Sequence, residues 1–238
     1  MLLTSFKVLS FGCYGTLIDR DLGILTALRP LLASGRIGLS RQEVLAAFDR
    51  QECALQASSP ELPYSEILAQ AHQALAREWA VLCSDAEHTL FGQSVAKWPA
   101  FADAPAALQY LRRYFKIAAL TNGDRDSFAA SARRLEAKFD LVCTADEIGS
   151  YMPDPRNIHY VVHKLAKLGY VAGQILHIGA SPRCDLAPAA AVGLATAWID
   201  RRPGGGDAKV ALSEDAPFGP RFSSIADLVK AHQEELRA

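Results

Sequence analysis

The stretch FKVLSFGCYGTLID, residues 6–19, decides how the rest of the chain can be organised. Its first part, residues 6–11, is short and mostly apolar, and Gly12 and Gly15 follow closely. A short apolar run that ends at glycines is typical of a buried strand of a parallel sheet, followed by a loop. We therefore expect the first strand of an α/β protein here, with a functional loop at its carboxyl end.

Beyond this loop the sequence pattern is helical as far as residue 96. A helix-start signal needs a side chain that accepts a hydrogen bond from the first free backbone N–H groups. Such signals lie at Asp19, at Ser40 with Glu43 as a capping box for a helix through Cys53, at Ser65 with Glu66 before a helix over 67–79, and at Asp85. We expect an all-helical cap domain over residues 19–96, inserted into the α/β domain.

After Trp98 the pattern changes to strands that alternate with helices, which is typical of a parallel sheet with crossover helices. We expect strands at residues 116–120, 140–144, 175–179 and 195–199, helices at 127–138, 155–168, 185–192 and 223–236, and a surface loop at 203–220. The expected fold is α/β, with a doubly wound, Rossmann-like parallel sheet formed by residues 1–18 and 97–238. In such sheets ligands bind at the carboxyl ends of the strands.

The composition limits the classes of partner. The chain has 238 residues, of which 50% are hydrophobic, and its formal net charge is −1. This balance argues against a nucleic-acid surface or a polybasic membrane patch, and no apolar run reaches the ~18 residues of a membrane span. The five cysteines are odd in number and include no Cys-x-x-Cys pair, so we expect reduced thiols rather than disulfides or a zinc site. Because the sequence does not open with a signal-peptide pattern, we expect a cytoplasmic protein.

Four polar loops follow the expected strands. They read F-G-C-Y-G-T (11–16), T-N-G-D (121–124), S-Y-M-P-D-P (150–155) and G-A-S-P-R-C-D (179–185). This ordered set, with a helical insertion between the first and second loops, resembles the haloacid dehalogenase superfamily and, within it, the type II 2-haloacid dehalogenase branch. The resemblance covers nearly the whole chain, and four motifs in this order are far more specific than any one of them.

The resemblance implies a mechanism, and this chain departs from it at two positions. In that branch an aspartate of the first loop attacks the carbon that bears the halogen, and water then hydrolyses the ester. A lysine of the third loop pairs with that aspartate and favours its ionised form. Here Gly12 stands at the nucleophile position and Met152 at the lysine position. We therefore expect no haloacid hydrolysis through an ester.

The two departures are physically linked. Deleting one partner of a buried ion pair costs roughly 3–5 kcal/mol, because the other charge stays buried without compensation. Loss of both partners is expected to leave a neutral and roomier site. Gly12 and Met152 together then mark a lost catalytic pair rather than a single change.

The remaining positions keep chemistry that suits a site. The candidate catalytic residues are Asp185 and Asp124, and the candidate ligand-binding residues are Cys13, Tyr14, Thr121, Asn122 and Ser181. We expect no metal and no other cofactor, because Tyr14 stands where the magnesium-dependent phosphatases of the superfamily carry their second acid. The expected partner is a small molecule, with a carboxylate as the favoured class. The resemblance also makes a homodimer an expectation.

Several candidates also have a purely structural interpretation. Asp185 and Asp19 are suited to cap helices, and Cys13 and Met152 to fill gaps in a core. Asp124 and Asp126 can also be solvated loop acids, and His177 a histidine of the core. His159 and His163 fit an ordinary helix face, because no third metal ligand is evident.

Three functional interpretations follow. The first is a protein of this family that binds a small ligand without hydrolysing haloacids. The second is an enzyme that uses Asp185 or Asp124 as a general base, with Thr121, Asn122 and backbone N–H groups as an anion cradle. The third, an ordinary dehalogenase changed only at Gly12, is disfavoured by Met152.

Overall fold

The structure, a computed structural model, describes residues 1–201 and 218–238 and is built around a six-stranded sheet. The strands are β1 Val8–Gly12, β2 Lys116–Thr121, β3 Leu141–Thr144, β4 Ile175–Gly179, β5 Ala195–Ile199 and β6 Arg221–Phe222. Their order is β3-β2-β1-β4-β5-β6, and every neighbouring pair is parallel. The strand order reverses its direction beside β1, which confirms the doubly wound α/β fold.

Ten α-helices lie in the described part of the chain. Four of them fall between β1 and β2 in the sequence and are called the helical insertion: α1 Arg20–Ser34, α2 Arg41–Ser58, α3 Tyr64–Glu78 and α4 Asp85–Gln93. The other six are α5 Ala104–Leu111, α6 Arg125–Leu135, α7 Ala145–Ile148, α8 Pro155–Lys167, α9 Ala187–Ala191 and α10 Ile225–Glu235. None of the helices in the described ranges is both long and apolar enough to cross a membrane.

The sheet is buried between two apolar clusters because successive side chains of a strand point to opposite faces. Leu9 and Phe11 of β1 belong to the larger cluster, and Val8 belongs to the smaller one. The larger cluster continues into the helical insertion, where Phe48 and Leu68 are fully buried. The insertion and this face of the sheet therefore share one hydrophobic core.

The helix starts of the insertion confirm two of the four expected signals. Asp19 accepts a hydrogen bond from the N–H of Leu22 and caps α1, and Ser40 caps α2 through a complete capping box. The prediction for Asp85 is wrong, because Ser84 caps α4 through its own capping box and Asp85 is the first helical residue. The prediction for Ser65 is also wrong, because α3 begins at Tyr64 and its N-cap residue Pro63 offers no side-chain hydrogen bond.

Further boundaries differ from those expected. The helix expected at 127–138 is α6, Arg125–Leu135, which starts earlier because Asp124 caps it. Strand β1 begins two residues later than the apolar run and extends to Gly12. The helix expected at 185–192 is divided into a π-helical turn, Pro182–Leu186, and the short α9, because the Ser181 side chain accepts a hydrogen bond from the N–H of Cys184 and starts the turn early. Most of the loop expected at 203–220 lies outside the described residues.

Candidate functional site

The sheet order brings the first, second and fourth loops together at one edge. Strand β1 lies between β2 and β4, so that Gly12 pairs with Leu120 and Phe11 pairs with Ile178. Because all three strands are parallel, their carboxyl ends meet at the same edge. The predicted site residues that follow these strands are therefore neighbours in space.

Gly12 faces the carboxylate of Asp185. A Cβ atom on residue 12 would lie 3.0 Å from Oδ1 of Asp185 and 3.4 Å from Oγ1 of Thr16. The first distance is tighter than most Cβ contacts, so a side chain at this position would have to displace Asp185 by a few tenths of an ångström. The expectation of a roomier site is therefore wrong at residue 12, because the Asp185 carboxylate lies against the glycine.

Asp185 is fixed by the π-helical turn that follows β4. Its Oδ2 accepts a hydrogen bond of 2.8 Å from the N–H of Ser181. Its side chain also packs on Gly179, where a Cβ would overlap Cβ of Asp185. Two glycines, Gly12 and Gly179, thus provide the space that this carboxylate occupies.

Burial is the main influence on the ionisation of Asp185. It raises the pKa of this carboxyl from 3.8 to about 6, although the backbone N–H groups of Ser181 and Ala180 act in the opposite direction. A carboxyl with a pKa close to neutral can exchange a proton under ordinary conditions. Asp185 is therefore chemically suited to act as an acid or a base.

The second loop holds the third loop in place. Oδ1 of Asn122 accepts a hydrogen bond of 2.8 Å from the N–H of Met152, and its Nδ2 lies 3.4 Å from the carbonyl oxygen of Met152. Thr121 is buried and accepts the N–H of Gly123 at 3.0 Å. Asn122 thus orients the backbone beside the site, whereas a direct role of these two residues in ligand binding stays a prediction.

Met152 is a buried side chain on the same side of the sheet as Val8. It belongs to the smaller apolar cluster together with Leu120 and Cys143. This packing agrees with its interpretation as a core residue. A lysine ammonium at this position would be surrounded by apolar groups, which is costly unless an anion pairs with it.

Cys13 and Tyr14 are held within the protein interior. Burial raises the pKa of the Cys13 thiol to about 12, against a smaller effect of its hydrogen bond with Thr121, so the thiol is protonated at neutral pH. The Tyr14 ring stacks on Tyr64 of α3 at a centroid distance of 5.4 Å and meets Trp98 edge-on at 5.2 Å. Cys13 therefore resembles a structural thiol, and Tyr14 joins the first loop to the helical insertion.

Asp124 does not lie in solvent, and that interpretation is wrong. It is buried and caps α6, with Oδ1 accepting the N–H of Ser127 at 2.8 Å. Its Oδ2 accepts the N–H of Ser65, in the insertion, at 3.1 Å. Asp126 is exposed, as expected. Because both oxygens of Asp124 accept backbone N–H groups, its geometry favours a structural bridge over a general base.

Ser181 is another predicted ligand-binding residue with a structural contact. Its hydroxyl accepts the N–H of Cys184 at 3.0 Å and so caps the turn that carries Asp185. This contact positions the fourth loop at the candidate site.

Thr16 is a site residue that the sequence reasoning missed. It is fully buried, and within the described part of the chain its Oγ1 has no hydrogen-bond partner. A buried polar atom without a partner is costly and often marks a water or ligand position. The sequence signal for it is the Gly15-Thr16 pair of the first loop.

The three histidines considered in the sequence analysis, His159, His163 and His177, do not contribute to this site. His177 is fully buried in β4, its Nδ1 lies 3.2 Å from Oγ of Ser10, and burial lowers its pKa to about 4, so it is neutral at pH 7. His159 and His163 lie on the exposed face of α8. Across residues 1–201 and 218–238, no cluster of three His, Cys, Asp or Glu side chains is arranged to hold a metal.

The donor set does not fit the magnesium site of the superfamily's phosphatases. Magnesium favours octahedral oxygen ligands, with one or two protein carboxylates. Gly12 supplies no carboxylate, and the Tyr14 ring is stacked on Tyr64 of α3. Both oxygens of Asp124 are occupied by backbone N–H groups.

Comparison with known proteins shows both the family and the fold. The model of the family described as haloacid dehalogenase-like hydrolase matches residues 6–193. A search of curated protein sequences found no match. Among solved structures, the chain is similar to an L-2-haloacid dehalogenase, with a TM-score of 0.77 and 22% identity over 98% of this chain and 100% of the other.

Two other solved structures give the same result. A defluorinating L-2-haloacid dehalogenase has a TM-score of 0.74 and 21% identity over 100% of this chain and 98% of the other. The L-2-haloacid dehalogenase from Xanthobacter autotrophicus with chloropropionic acid covalently bound has a TM-score of 0.77 and 17% identity over 96% and 98%. The family match covers well over half of the chain, from before β1 to beyond α9, and the chain therefore belongs to the haloacid dehalogenase-like hydrolase family.

Proposed function

We propose that this protein binds a small carboxylate between the sheet edge and the helical insertion, which acts as a cap, and does not hydrolyse 2-haloacids through an aspartyl ester. The observation that carries the proposal is the contact between Gly12 and Asp185. Gly12 has no side chain that could attack a carbon atom, and the space beside it is taken by the carboxylate of Asp185.

The surroundings of residue 12 support the loss of the ester mechanism. An aspartate there would bring two carboxylates together, because a Cβ at residue 12 would lie 3.0 Å from Oδ1 of Asp185. Two carboxylates brought close together disfavour each other's ionisation. Met152 offers no cation to offset them, and its side chain packs among apolar groups. The site therefore keeps one acid, Asp185, and lacks both the nucleophile and the cation that the ester mechanism needs.

The proposed ligand class rests on the retained polar groups and on the relatives. Thr121 and Asn122 stand at the edge of the sheet, where ligands of doubly wound folds bind. One similar structure carries chloropropionic acid, a small carboxylic acid, bound covalently. We propose that the present chain takes a related acid without forming that bond. A cytoplasmic location and a homodimer stay predictions.

Asp185 supports a second candidate function, general acid/base catalysis. Its pKa of about 6 allows it to take a proton from a water molecule near neutral pH. The Oγ1 of Thr16, which lies on the same side of Gly12, offers a second contact for such a water molecule. In this case a ligand would be hydrolysed, or lose a proton, without a covalent intermediate.

Halide release from L-2-chloropropionate separates these possibilities. We expect none from the wild type, and no mass increase of the intact protein. Gly12→Asp alone should lower the melting temperature because it adds a carboxylate beside Asp185 without a cation. Gly12→Asp/Met152→Lys should recover part of that loss. Turnover by the wild type together with a covalent adduct would overturn the proposal, whereas turnover without an adduct would favour acid/base catalysis by Asp185.

Ligand binding is tested separately by thermal denaturation. Propionate should raise the melting temperature of the wild type, and propionamide is the matched neutral control. An equal response to both compounds, or to neither, would contradict a carboxylate site.

A further inference from the structure

A short segment of the helical insertion, residues 62–65, contacts three of the loops that form the site. This segment leads into α3 and is called the latch segment. Asp124 of the second loop accepts the N–H of Ser65 at 3.1 Å, and the hydroxyl of Tyr151 in the third loop donates to the carbonyl oxygen of Leu62 at 2.5 Å. The Tyr64 ring stacks on Tyr14 of the first loop.

Asp124 supplies a cap that α3 lacks in its own sequence. The N-cap residue of α3 is Pro63, which makes no side-chain hydrogen bond, although the first N–H groups of a helix need acceptors. The same carboxylate caps α6 through the N–H of Ser127. One buried side chain therefore caps two helices, one in the insertion and one beside the sheet.

Each side chain that holds the latch segment is close in sequence to a candidate site residue. Tyr14 follows Gly12 by two residues, Asp124 follows Asn122 by two, and Tyr151 precedes Met152 directly. The second and third loops are also joined to each other, because Oδ1 of Asn122 accepts the N–H of Met152. A movement of the latch segment therefore acts on both loops.

The candidate site is enclosed in this arrangement. Gly12, Thr16, Thr121 and Asp185 are all buried. A ligand can reach them only if part of the surrounding structure moves. Among the described residues, the latch segment joins the insertion to the loops through two hydrogen bonds and through contacts of the buried Tyr64 ring with Tyr14 and Tyr151. Its release breaks far fewer contacts than unfolding of the shared core.

We propose that residues 62–65 form a latch, and that its release from Asp124 and Tyr151 opens the helical insertion together with the second and third loops. This inference rests on the proposed function only in assuming that a ligand enters the candidate site when the insertion opens. The opening itself is measured without a ligand, so a failure of the carboxylate proposal and a failure of the latch are distinguishable.

The test is hydrogen exchange of single amides in the full chain, measured by NMR for wild type, Asp124→Asn and Tyr151→Phe. Asparagine at 124 keeps one acceptor oxygen for Ser127 and α6, but replaces the other oxygen by an NH₂ group that cannot accept from Ser65. Phenylalanine at 151 keeps the ring and removes only the hydroxyl. Each variant removes one latch bond and preserves the shape of the side chain.

We expect each variant to speed exchange of the Ser65 amide by about fivefold to tenfold, as for the loss of one hydrogen bond. The Met152 amide, which lies in another loop, should speed up by the same factor because the unit opens as a whole. Asp19→Asn is the matched control, since Asp19 caps only α1, and it should change neither amide. If Asp124→Asn speeds exchange at Ser65 but not at Met152, or at neither, the latch does not exist as proposed.

Discussion

At the scale of single residues, Asp185 is the side chain on which the chemistry of the site depends. Burial raises its pKa from 3.8 to about 6. The folded protein therefore holds this proton up to a higher pH than the unfolded chain does. The stabilisation from this group is fully present below about pH 4 and is lost as the pH rises through about 6.

The variant Asp185→Asn tests this dependence. The difference between 3.8 and about 6 corresponds to about 3 kcal/mol. We therefore expect the variant to gain up to ~3 kcal/mol of unfolding free energy relative to the wild type between pH 4 and pH 8. Denaturant titrations at both pH values measure this gain. Asp126→Asn, at an exposed position, is the control; equal pH profiles of wild type and Asp185→Asn would contradict a buried carboxyl at this site.

At the scale of elements, α3 and α4 approach each other closely at one glycine. A Cβ on Gly92 of α4 would overlap the carbonyl oxygen of Ser65 in the first turn of α3. The oxygen belongs to the backbone and cannot turn aside as a flexible side chain would. The two helices can lie this close only because residue 92 has no side chain.

Gly92→Ala should therefore destabilise the protein by about 1–3 kcal/mol, even though alanine is the better helix former. Chemical denaturation measures the change. Gly173→Ala is the control, because a Cβ at residue 173 would meet nothing within 4 Å. A Gly92→Ala variant as stable as the control would show that α4 can shift away from α3 at little cost.

The elements also show which features the sequence could predict. The strands at 116–120, 175–179 and 195–199 were expected correctly because buried parallel strands are continuous apolar runs. The start of α3 at Tyr64 was missed because its capping carboxylate, Asp124, lies in a different part of the chain. A cap supplied by tertiary structure leaves no local signal.

The same limit applies to the candidate site. The order of the loop motifs located Gly12, Asn122 and Asp185 at one edge of the sheet. It did not reveal that Asp185 packs between Gly12 and Gly179, since this contact depends on the π-helical turn of the fourth loop. The expectation of a roomier site failed for that reason.

At the scale of the whole molecule, the helical insertion and the sheet share one apolar core. The cluster that contains Leu9 and Phe11 of β1 also contains Phe48 of α2 and Leu68 of α3. Trp98 is buried where the two parts meet and contacts the rings of Tyr14 and Tyr64. A core that is continuous across two parts of a chain couples their stability, because neither part can unfold without exposing apolar surface of the other.

We therefore expect the chain to unfold in a single transition. Trp79 lies at the end of α3 in the insertion, and Trp198 lies in β5 of the sheet. Variants that keep only one of these two tryptophans, with Trp98→Phe in both so that the buried Trp98 does not contribute, should report the same denaturant midpoint by fluorescence, and far-UV circular dichroism should agree with both. Adding Leu68→Ala creates a cavity in the insertion and should lower the unfolding free energy by ~2–5 kcal/mol. We expect this change to lower both midpoints equally. If only the Trp79 midpoint fell, the insertion would be an independently unfolding unit, and its opening over the site would not require the sheet to loosen.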